Sequence, residues 1–302
     1  MLIYHCRCLE KAVALENGNQ RILNLPGFDN PPGAIAIDLD GTLLDSQSRL
    51  SARNRRALEH CLDWGIPVII ATSRPARIFN RIFPQDLATG CSLVIMNGAI
   101  VKGNSPLSGY FKETLPDEVA RSIVDLASKF DPRIRITLEL DGYDFGANWT
   151  ADAATLWQRN SATPDMVLPM EEALLQQPCK IALGGLGTEI LRLADKLIHG
   201  FGDAISVIPA LSGNPILNVT TPQASKPSAL RKLLTPRGIS LKEVIAFGDD
   251  IPDIGMLGEC GISVAVANAL TEVRSICAYH TSSNDEDGVA VVLEQVLATL
   301  RK

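Results

Sequence analysis

Ala34-Ile35-Ala36-Ile37-Asp38-Leu39-Asp40-Gly41-Thr42-Leu43 is the stretch that decides the fold. Its first four residues form a short, continuous apolar run, as in a strand buried on both faces. The run stops at two acids, a glycine and a threonine. Asn30-Pro31-Pro32-Gly33 stands in front of it as a breaker cluster, so residues 1–33 are expected to be an N-terminal extension. Downstream, Ser51 can cap a helix that carries Leu58, Cys61 and Leu62 on one face, with Gly65 at its end. Val68-Ile69-Ile70-Ala71 is a second buried-strand run and ends at Thr72-Ser73-Arg74-Pro75. A helical stretch over 76–83 leads to a third run, Leu93-Val94-Ile95-Met96, which ends at Asn97-Gly98-Ala99. Strand, helix, strand, helix, strand is the rhythm of a parallel sheet with right-handed crossovers.

The rhythm changes between 104 and 218. Candidate strands there are Ile134 to Leu140, Lys180 to Gly184 and Ile205 to Ile208. Candidate helices lie near Asp117 to Lys129, Ala151 to Asn160 and Glu189 to His199. The first rhythm then resumes. Ser225-Lys226-Pro227 opens a helix, and Val244-Ile245-Ala246-Phe247 is a strand that ends at Gly248-Asp249-Asp250. Another strand covers Ile262 to Val266, and a last helix carries Val289, Val292, Leu293, Val296, Leu297 and Leu300 on one stripe. The expected fold is therefore α/β: a doubly wound, Rossmann-like parallel-sheet core from 34–103 and 219–302, interrupted by an α+β domain over 104–218.

Composition narrows the function. The 302 residues are 46% hydrophobic and 21% charged, which supports a sizeable core and argues against disorder. A net charge of −6 argues against non-specific nucleic-acid or anionic-membrane binding, which need a basic surface. No apolar run approaches the roughly 20 residues that span a bilayer, and Met1 to Tyr4 is too short for a secretory leader. Seven scattered cysteines fit the reduced thiols of a cytoplasmic protein. His5-Cys6-Arg7-Cys8 lacks a second cysteine pair for zinc and reads as part of the extension.

In an open parallel sheet, ligands bind beyond the carboxyl ends of the strands. Here those ends carry Asp38 and Asp40, Thr72, Asn97 and Asp249, and Lys226 opens a helix just before the last of these strands. Each has an ordinary reading alone: an Asp-Gly turn, a cap, a solvated lysine. Their joint occurrence at strand ends and helix starts makes a crevice of carboxylates, one hydroxyl and one ammonium. Carboxylates gathered there raise one another's pKa unless a cation joins them. Oxygen ligands, with only four histidines in the chain, point to Mg²⁺ rather than zinc. Mg²⁺ keeps open positions for phosphate oxygens, so the cluster suggests phosphate chemistry.

These residues resemble the haloacid dehalogenase-like hydrolases. Asp38-Leu39-Asp40-Gly41-Thr42-Leu43 resembles the first motif of that family, Val68 to Pro75 the second, Lys226 the third and Gly248-Asp249-Asp250-Ile251-Pro252-Asp253 the fourth. Asn97-Gly98-Ala99 and Asn284-Asp285-Glu286-Asp287-Gly288-Val289 resemble the Cof-type branch, which carries a large α/β cap between the second and third motifs. Pro252 and Pro227 depart from that branch, which places Asn and Gly there.

The resemblance implies a Mg²⁺-dependent phosphatase acting on a small phosphorylated metabolite through an aspartyl-phosphate. Asp38 would be the nucleophile and Asp40 the acid and then the base. Thr72 and Lys226 would stabilise the phosphoryl group, and Ser73, Arg74, Asn97 and Gly98 would join Thr72 in contacting substrate. Asp38, the backbone carbonyl of Asp40, Asp249 and Asp253 would serve the metal. A phosphomutase of the same superfamily would share every core residue. A receiver-type signalling module, or a phosphate-binding protein without turnover, is the other alternative; receiver domains are smaller and lack the Asp-x-Asp-Gly-Thr run.

Overall fold

The computed structural model describes residues 30–210 and 215–300. The expected extension, up to residue 29 and including His5-Cys6-Arg7-Cys8, lies outside the described residues. The large sheet is built from β1 (Ala34–Asp38), β2 (Val68–Ala71), β3 (Ser92–Ile95), β4 (Ile100–Lys102) and β5 (Tyr110–Lys112). A second sheet follows: β6 (Arg135–Glu139), β7 (Phe145–Ala147), β8 (Val167–Leu168), β9 (Lys180–Gly184), β10 (Ser206–Ala210) and β11 (Ile216–Thr220). The chain then returns to the large sheet through β12 (Val244–Gly248), β13 (Ile262–Ala265) and β14 (Tyr279–His280).

The large sheet runs β14-β13-β12-β1-β2-β3-β4-β5. From β14 to β3 the neighbours are parallel, and β4 and β5 close that edge as an antiparallel hairpin. Strand β1 is buried along its whole length, which explains its lack of alternation. Ile35 and Ile37 face one side, with Ile70, Phe79, Phe247 and Val292. Ala34 and Ala36 face the other, with Ala71, Ala246, Leu230 and Met256. The alanines leave room on that second face for the helices Lys226–Leu234 and Ile254–Glu259, and so bring the start of the first of them up to the end of β1.

The second sheet runs β10-β11-β9-β6-β7-β8. Helices Asp117–Phe130 and Ile190–Phe201 cover one face, packing Ile123, Ala127, Leu193 and Leu197 on Ile136, Leu138, Ile181, Leu183, Leu217 and Val219. The alternate residues, among them Thr137, Glu139, Lys180, Asn218 and Thr220, point the other way. The α/β core with an interposed α+β unit thus stands as expected.

The passage between the sheets differs from the expected one. The large sheet continues past 103 to Lys112, because the β4–β5 hairpin pairs on β3. The second sheet continues past 218 to Thr220, because β11 pairs with both β9 and β10. No helix among the described residues is long and apolar enough to cross a membrane.

Asn54 braces the large core. It is buried; its Nδ2 donates to the Leu43 carbonyl at 3.0 Å, and its Oδ1 accepts from the Ala290 N–H at 2.9 Å. One side chain thereby ties the loop after β1 to the last helix. Asn54→Ala should leave a buried carbonyl and a buried N–H without partners, a loss of about 2–4 kcal/mol. Chemical denaturation checks this; an unchanged midpoint at the same slope would contradict it.

Candidate active site

Strands β1 and β12 are adjacent and parallel, and the chain winds away from them in opposite directions. Their carboxyl ends therefore open the crevice where the winding reverses, the place where such sheets bind ligands. Asp38 ends β1. Register places Asp38 beside Ala71 and Phe247 beside Ile37, so Thr72 and Asp249 follow at the same edge.

The loop Leu39–Leu43 turns sharply, with Gly41 at φ +75°. A side chain on Gly41 would overlap the Asp249 carboxylate. Thr42 Oγ1 donates to Asp249 Oδ1 at 2.7 Å, and Asn268 Nδ2 donates to the Gly41 carbonyl at 2.7 Å. The motif near the C-terminus holds the same loop. Asn284 Nδ2 donates to the Leu44 carbonyl at 2.9 Å, and Asp285 Oδ1 accepts from the Ser46 N–H at 2.7 Å.

Lys226 is the first residue of a helix capped by Ser225. Its buried ammonium donates to Asp38 Oδ1 at 2.5 Å and to Asp253 Oδ1 at 2.6 Å. Asp253 Oδ2 accepts from the backbone N–H groups of Asp249 and Asp250 at 3.1 and 3.2 Å. Asp253 is thus engaged through both oxygens and fixes the loop that presents Asp249. Asp250 bonds the Ile251 N–H at 2.7 Å and caps the turn that follows.

Carboxylate oxygens of Asp38, Asp249 and Asp253 all lie within 4.8 Å of one another. Burial pushes the Asp38 carboxyl well above its ordinary range; Asp253 adds to the rise and Lys226 opposes it. Burial lifts Asp249 to about 7, opposed by the Thr42 hydrogen bond and aided by Asp253 and Asp250. Burial pulls Lys226 down, but Asp253 and Asp38 outweigh it and its pKa is raised. Three acids against one ammonium leave an excess of negative charge in a dry site. All the donors are hard oxygens, so a divalent cation such as Mg²⁺ fits.

Asp40 stands apart from this cluster. Arg74 grips its carboxylate with two nitrogens, Nε at 2.7 Å from Oδ2 and Nη2 on Oδ1. The Arg74 N–H donates to Thr72 Oγ1 at 3.1 Å. The Asn97 N–H donates to the Thr72 carbonyl at 3.1 Å, while its buried side-chain amide has no partner among the described residues. Gly98, at φ +104°, lies against the backbone of Ser225, whose carbonyl a Cβ would meet at 2.5 Å. The structure therefore joins Asp38, Asp249, Asp253 and Lys226 directly, with Thr72, Ser73, Arg74, Asn97 and Gly98 along the neighbouring strand ends.

Both prolines fall where no helical donor is needed. Pro227 and Pro252 occupy the first turns of their helical segments, whose N–H groups have no intrahelical acceptor.

Three residues had no signal in the sequence. Arg77, Glu139 and Lys180 link the second sheet to the Thr72 loop. Arg77 pairs with Glu139 through two bonds of 2.6 and 2.8 Å, and Lys180 Nζ donates to the Ser73 carbonyl at 3.0 Å. Arg77 falls in the helical stretch expected over 76–83 and Lys180 at the start of the strand expected over 180–184, and neither pattern shows what the side chain meets.

The family model described as haloacid dehalogenase-like hydrolase matches residues 35–293. The chain belongs to the haloacid dehalogenase-like hydrolases. The expectations of its Cof-type branch and of a phosphatase-class enzyme stand with it. Among its relatives is the 5-amino-6-(5-phospho-D-ribitylamino)uracil phosphatase YwtE of Bacillus subtilis, 29% identical over 291 residues, covering 87% of this chain and 98% of that protein. Phosphatase YwpJ of the same organism is 28% identical over 289 residues, covering 87% and 99%. A haloacid dehalogenase-like hydrolase from Bacteroides thetaiotaomicron superposes with a TM-score of 0.74 at 25% identity, covering 88% and 99%.

The raised carboxyl values have a measurable consequence. In the folded, metal-free chain Asp38 and Asp249 hold protons more tightly than in the unfolded chain. Their contribution to stability is full below the ordinary carboxyl range of ~4 and falls as pH rises through about 7. A cation must displace such protons. Affinity for a divalent cation, with Mg²⁺ as the probe, should therefore weaken below pH 7, by up to ~10-fold per unit for each proton displaced. Calorimetric titration at pH 8 and pH 6 checks this, and equal affinity at both would contradict it.

Proposed function

We propose that this phosphatase hydrolyses the phosphate monoester of a small metabolite, with Mg²⁺, through an aspartyl-phosphate on Asp38. The observation that carries the reading is the Lys226 ammonium closed between Asp38 and Asp253 at the switch point of the sheet, with Asp249 beside them. The catalytic core is residues 34–112 and 221–300, and the second sheet with its helices is the cap. The proposed substrate class includes phosphorylated polyols of the kind named for YwtE. Free thiols at Cys61, Cys91, Cys179, Cys260 and Cys277 support a cytoplasmic setting.

Asp38 and Asp249, with the Asp40 carbonyl, would hold Mg²⁺, and Asp253 supports them. When bound, the ion would supply positive charge against the clustered acids and the phosphate, which would favour the ionised form of Asp38. In the first step an Asp38 oxygen attacks phosphorus, and the bond from phosphorus to the ester oxygen breaks. Asp40 gives its proton to that departing oxygen, and the alcohol leaves. In the second step Asp40 takes a proton from water as the water oxygen attacks phosphorus. The acyl-phosphate P–O bond breaks, which returns Asp38 as a carboxylate and releases phosphate. Lys226 and the Thr72 hydroxyl balance charge that builds on the transferred oxygens. Arg74 aims the Asp40 carboxylate. Arg74→Ala should lower kcat by ~10-fold with a smaller effect on KM, and equal changes in both would speak against an aiming role.

Asp38→Asn keeps the shape and loses the nucleophile. Turnover of a generic aryl phosphate should fall at least ~10³-fold while the fold is retained. EDTA should abolish the parent's turnover and Mg²⁺ restore it. Near-normal turnover by a clean Asp38→Asn preparation, or full activity of metal-free protein, would contradict the proposal.

A further inference from the structure

The polar face of the second sheet carries a row that the phosphatase reading leaves unused. Register sets Glu139 opposite Lys180, and Ile181 opposite Val219, so Thr220 lies across from Lys180. Glu139, Lys180 and Thr220 all point away from the helices, since the intervening Leu138, Ile181 and Val219 fill the apolar core. All three are buried, Lys180 and Glu139 at 5% exposure and Thr220 at 0%.

Charge does not balance there. Arg77 occupies both oxygens of Glu139. Among the described residues the Lys180 ammonium has one acceptor, the neutral Ser73 carbonyl at 3.0 Å. Two buried cations thus face one buried carboxylate. A buried cation without a counter-charge is costly. Burial also pulls the Lys180 pKa down; Glu139 counters this and Arg77 adds to it.

Two further groups nearby lack partners. The Thr220 hydroxyl and both amide atoms of Asn97 are buried and unpartnered among the described residues. The Asn97 backbone N–H and the Lys180 ammonium donate to consecutive carbonyls, those of Thr72 and Ser73. Cys179, which precedes Lys180, packs on Met96 and Ala99 on either side of the Asn97-Gly98 turn. Lys180 bonds the Thr72 loop, Asn97 bonds it through its backbone, and Thr220 is the cross-strand neighbour of Lys180, so three groups with spare hydrogen-bonding capacity sit on segments that adjoin that loop.

We infer that Lys180, with Thr220 and Asn97, forms an anion subsite for a carboxylate or second phosphate on the leaving group of the substrate. The inference rests on the phosphatase reading for the place of the reacting phosphate. The substrate brings the counter-charge that Lys180 lacks, and its oxygens accept from the ammonium, the amide and the hydroxyl. Esters with a second anionic group are thereby preferred over neutral ones of the same size.

Phosphonates test this without turnover, because their P–C bond survives the proposed chemistry. Calorimetry on the full wild-type chain with Mg²⁺ compares propylphosphonate with 3-phosphonopropionate and with propane-1,3-diphosphonate. One or both diacids should bind at least ~10-fold tighter than propylphosphonate, the scale of a buried charge-assisted contact. The stronger of the two tells whether the subsite takes a carboxylate or a phosphate. Lys180→Met should remove the preference, and Lys180→Gln serves if that variant does not fold. Equal affinity of the three ligands, no binding of any, or a preference that survives loss of the ammonium would overturn the inference. A preference for diacids in a protein that turns over no ester would keep the subsite and defeat the phosphatase reading. Turnover without the preference would do the reverse.

Discussion

The ammonium of Lys226, held at 2.5 Å from Asp38 and 2.6 Å from Asp253, is the contact on which the site depends. Without it, three carboxylates within 4.8 Å of one another, two of them buried and Asp249 half-buried, would stand with no ammonium between them. Like charges in a dry site drive protonation, and in the proposed chemistry a protonated Asp38 would be no nucleophile. Lys226 offsets part of that repulsion and leaves the remainder as a demand for a cation. The same bond fixes the orientation of the Asp38 carboxylate, since Asp38 Oδ1 accepts from the ammonium. Asp253 completes the arrangement from the other side, with its second oxygen on the backbone of Asp249 and Asp250.

The scaffold exists to keep that contact in register. Alanines along one face of β1, β2 and β12 make room for the helix that Lys226 opens. Glycines occur where side chains would collide with the acids: Gly41 against Asp249, and Gly248 against Asp253, whose Cβ a side chain would meet at 2.6 Å. Asn54, Asn268 and Asn284 hold the loop after β1 by its carbonyls. The second sheet is tied to the same region by the Arg77–Glu139 pair and by Lys180. Arg77 follows the Thr72 loop closely in sequence, so the second sheet is anchored to the helix Ala76–Ile82 that begins where that loop ends.

Much of this core was legible because burial on both faces leaves an unmistakable trace. Ala34 to Ile37, Val68 to Ala71 and Val244 to Phe247 are apolar without alternation, and each stops at a polar residue that the fold brings to one edge. The cap was less legible. Strands β7 and β8 have three and two residues, too few for a period to show, and β4 and β5 are equally short. Pairing of β4 and β5 on β3 carried the large sheet past the expected limit at 103, and pairing of β11 with β9 and β10 carried the second past 218. The roles of Lys180, Glu139 and Arg77 depend on contacts between segments far apart in the chain. The Arg74 grip on Asp40 spans 34 residues and leaves no local pattern. Asn284 and Asp285 were legible as a motif, but their work on the first loop became visible only when the chain was folded.

The most direct measurement of the central claim is chemical capture of the intermediate. The parent protein, mixed with Mg²⁺ and a phosphate ester, is quenched during turnover and treated with borohydride, which reduces an acyl-phosphate to an alcohol. Peptide mass analysis then locates the reduced residue. The account predicts homoserine at position 38 and at no other aspartate. Reduction at Asp40 or Asp249 instead, or an unmodified Asp38 in protein shown to be turning over under the same conditions, would contradict it.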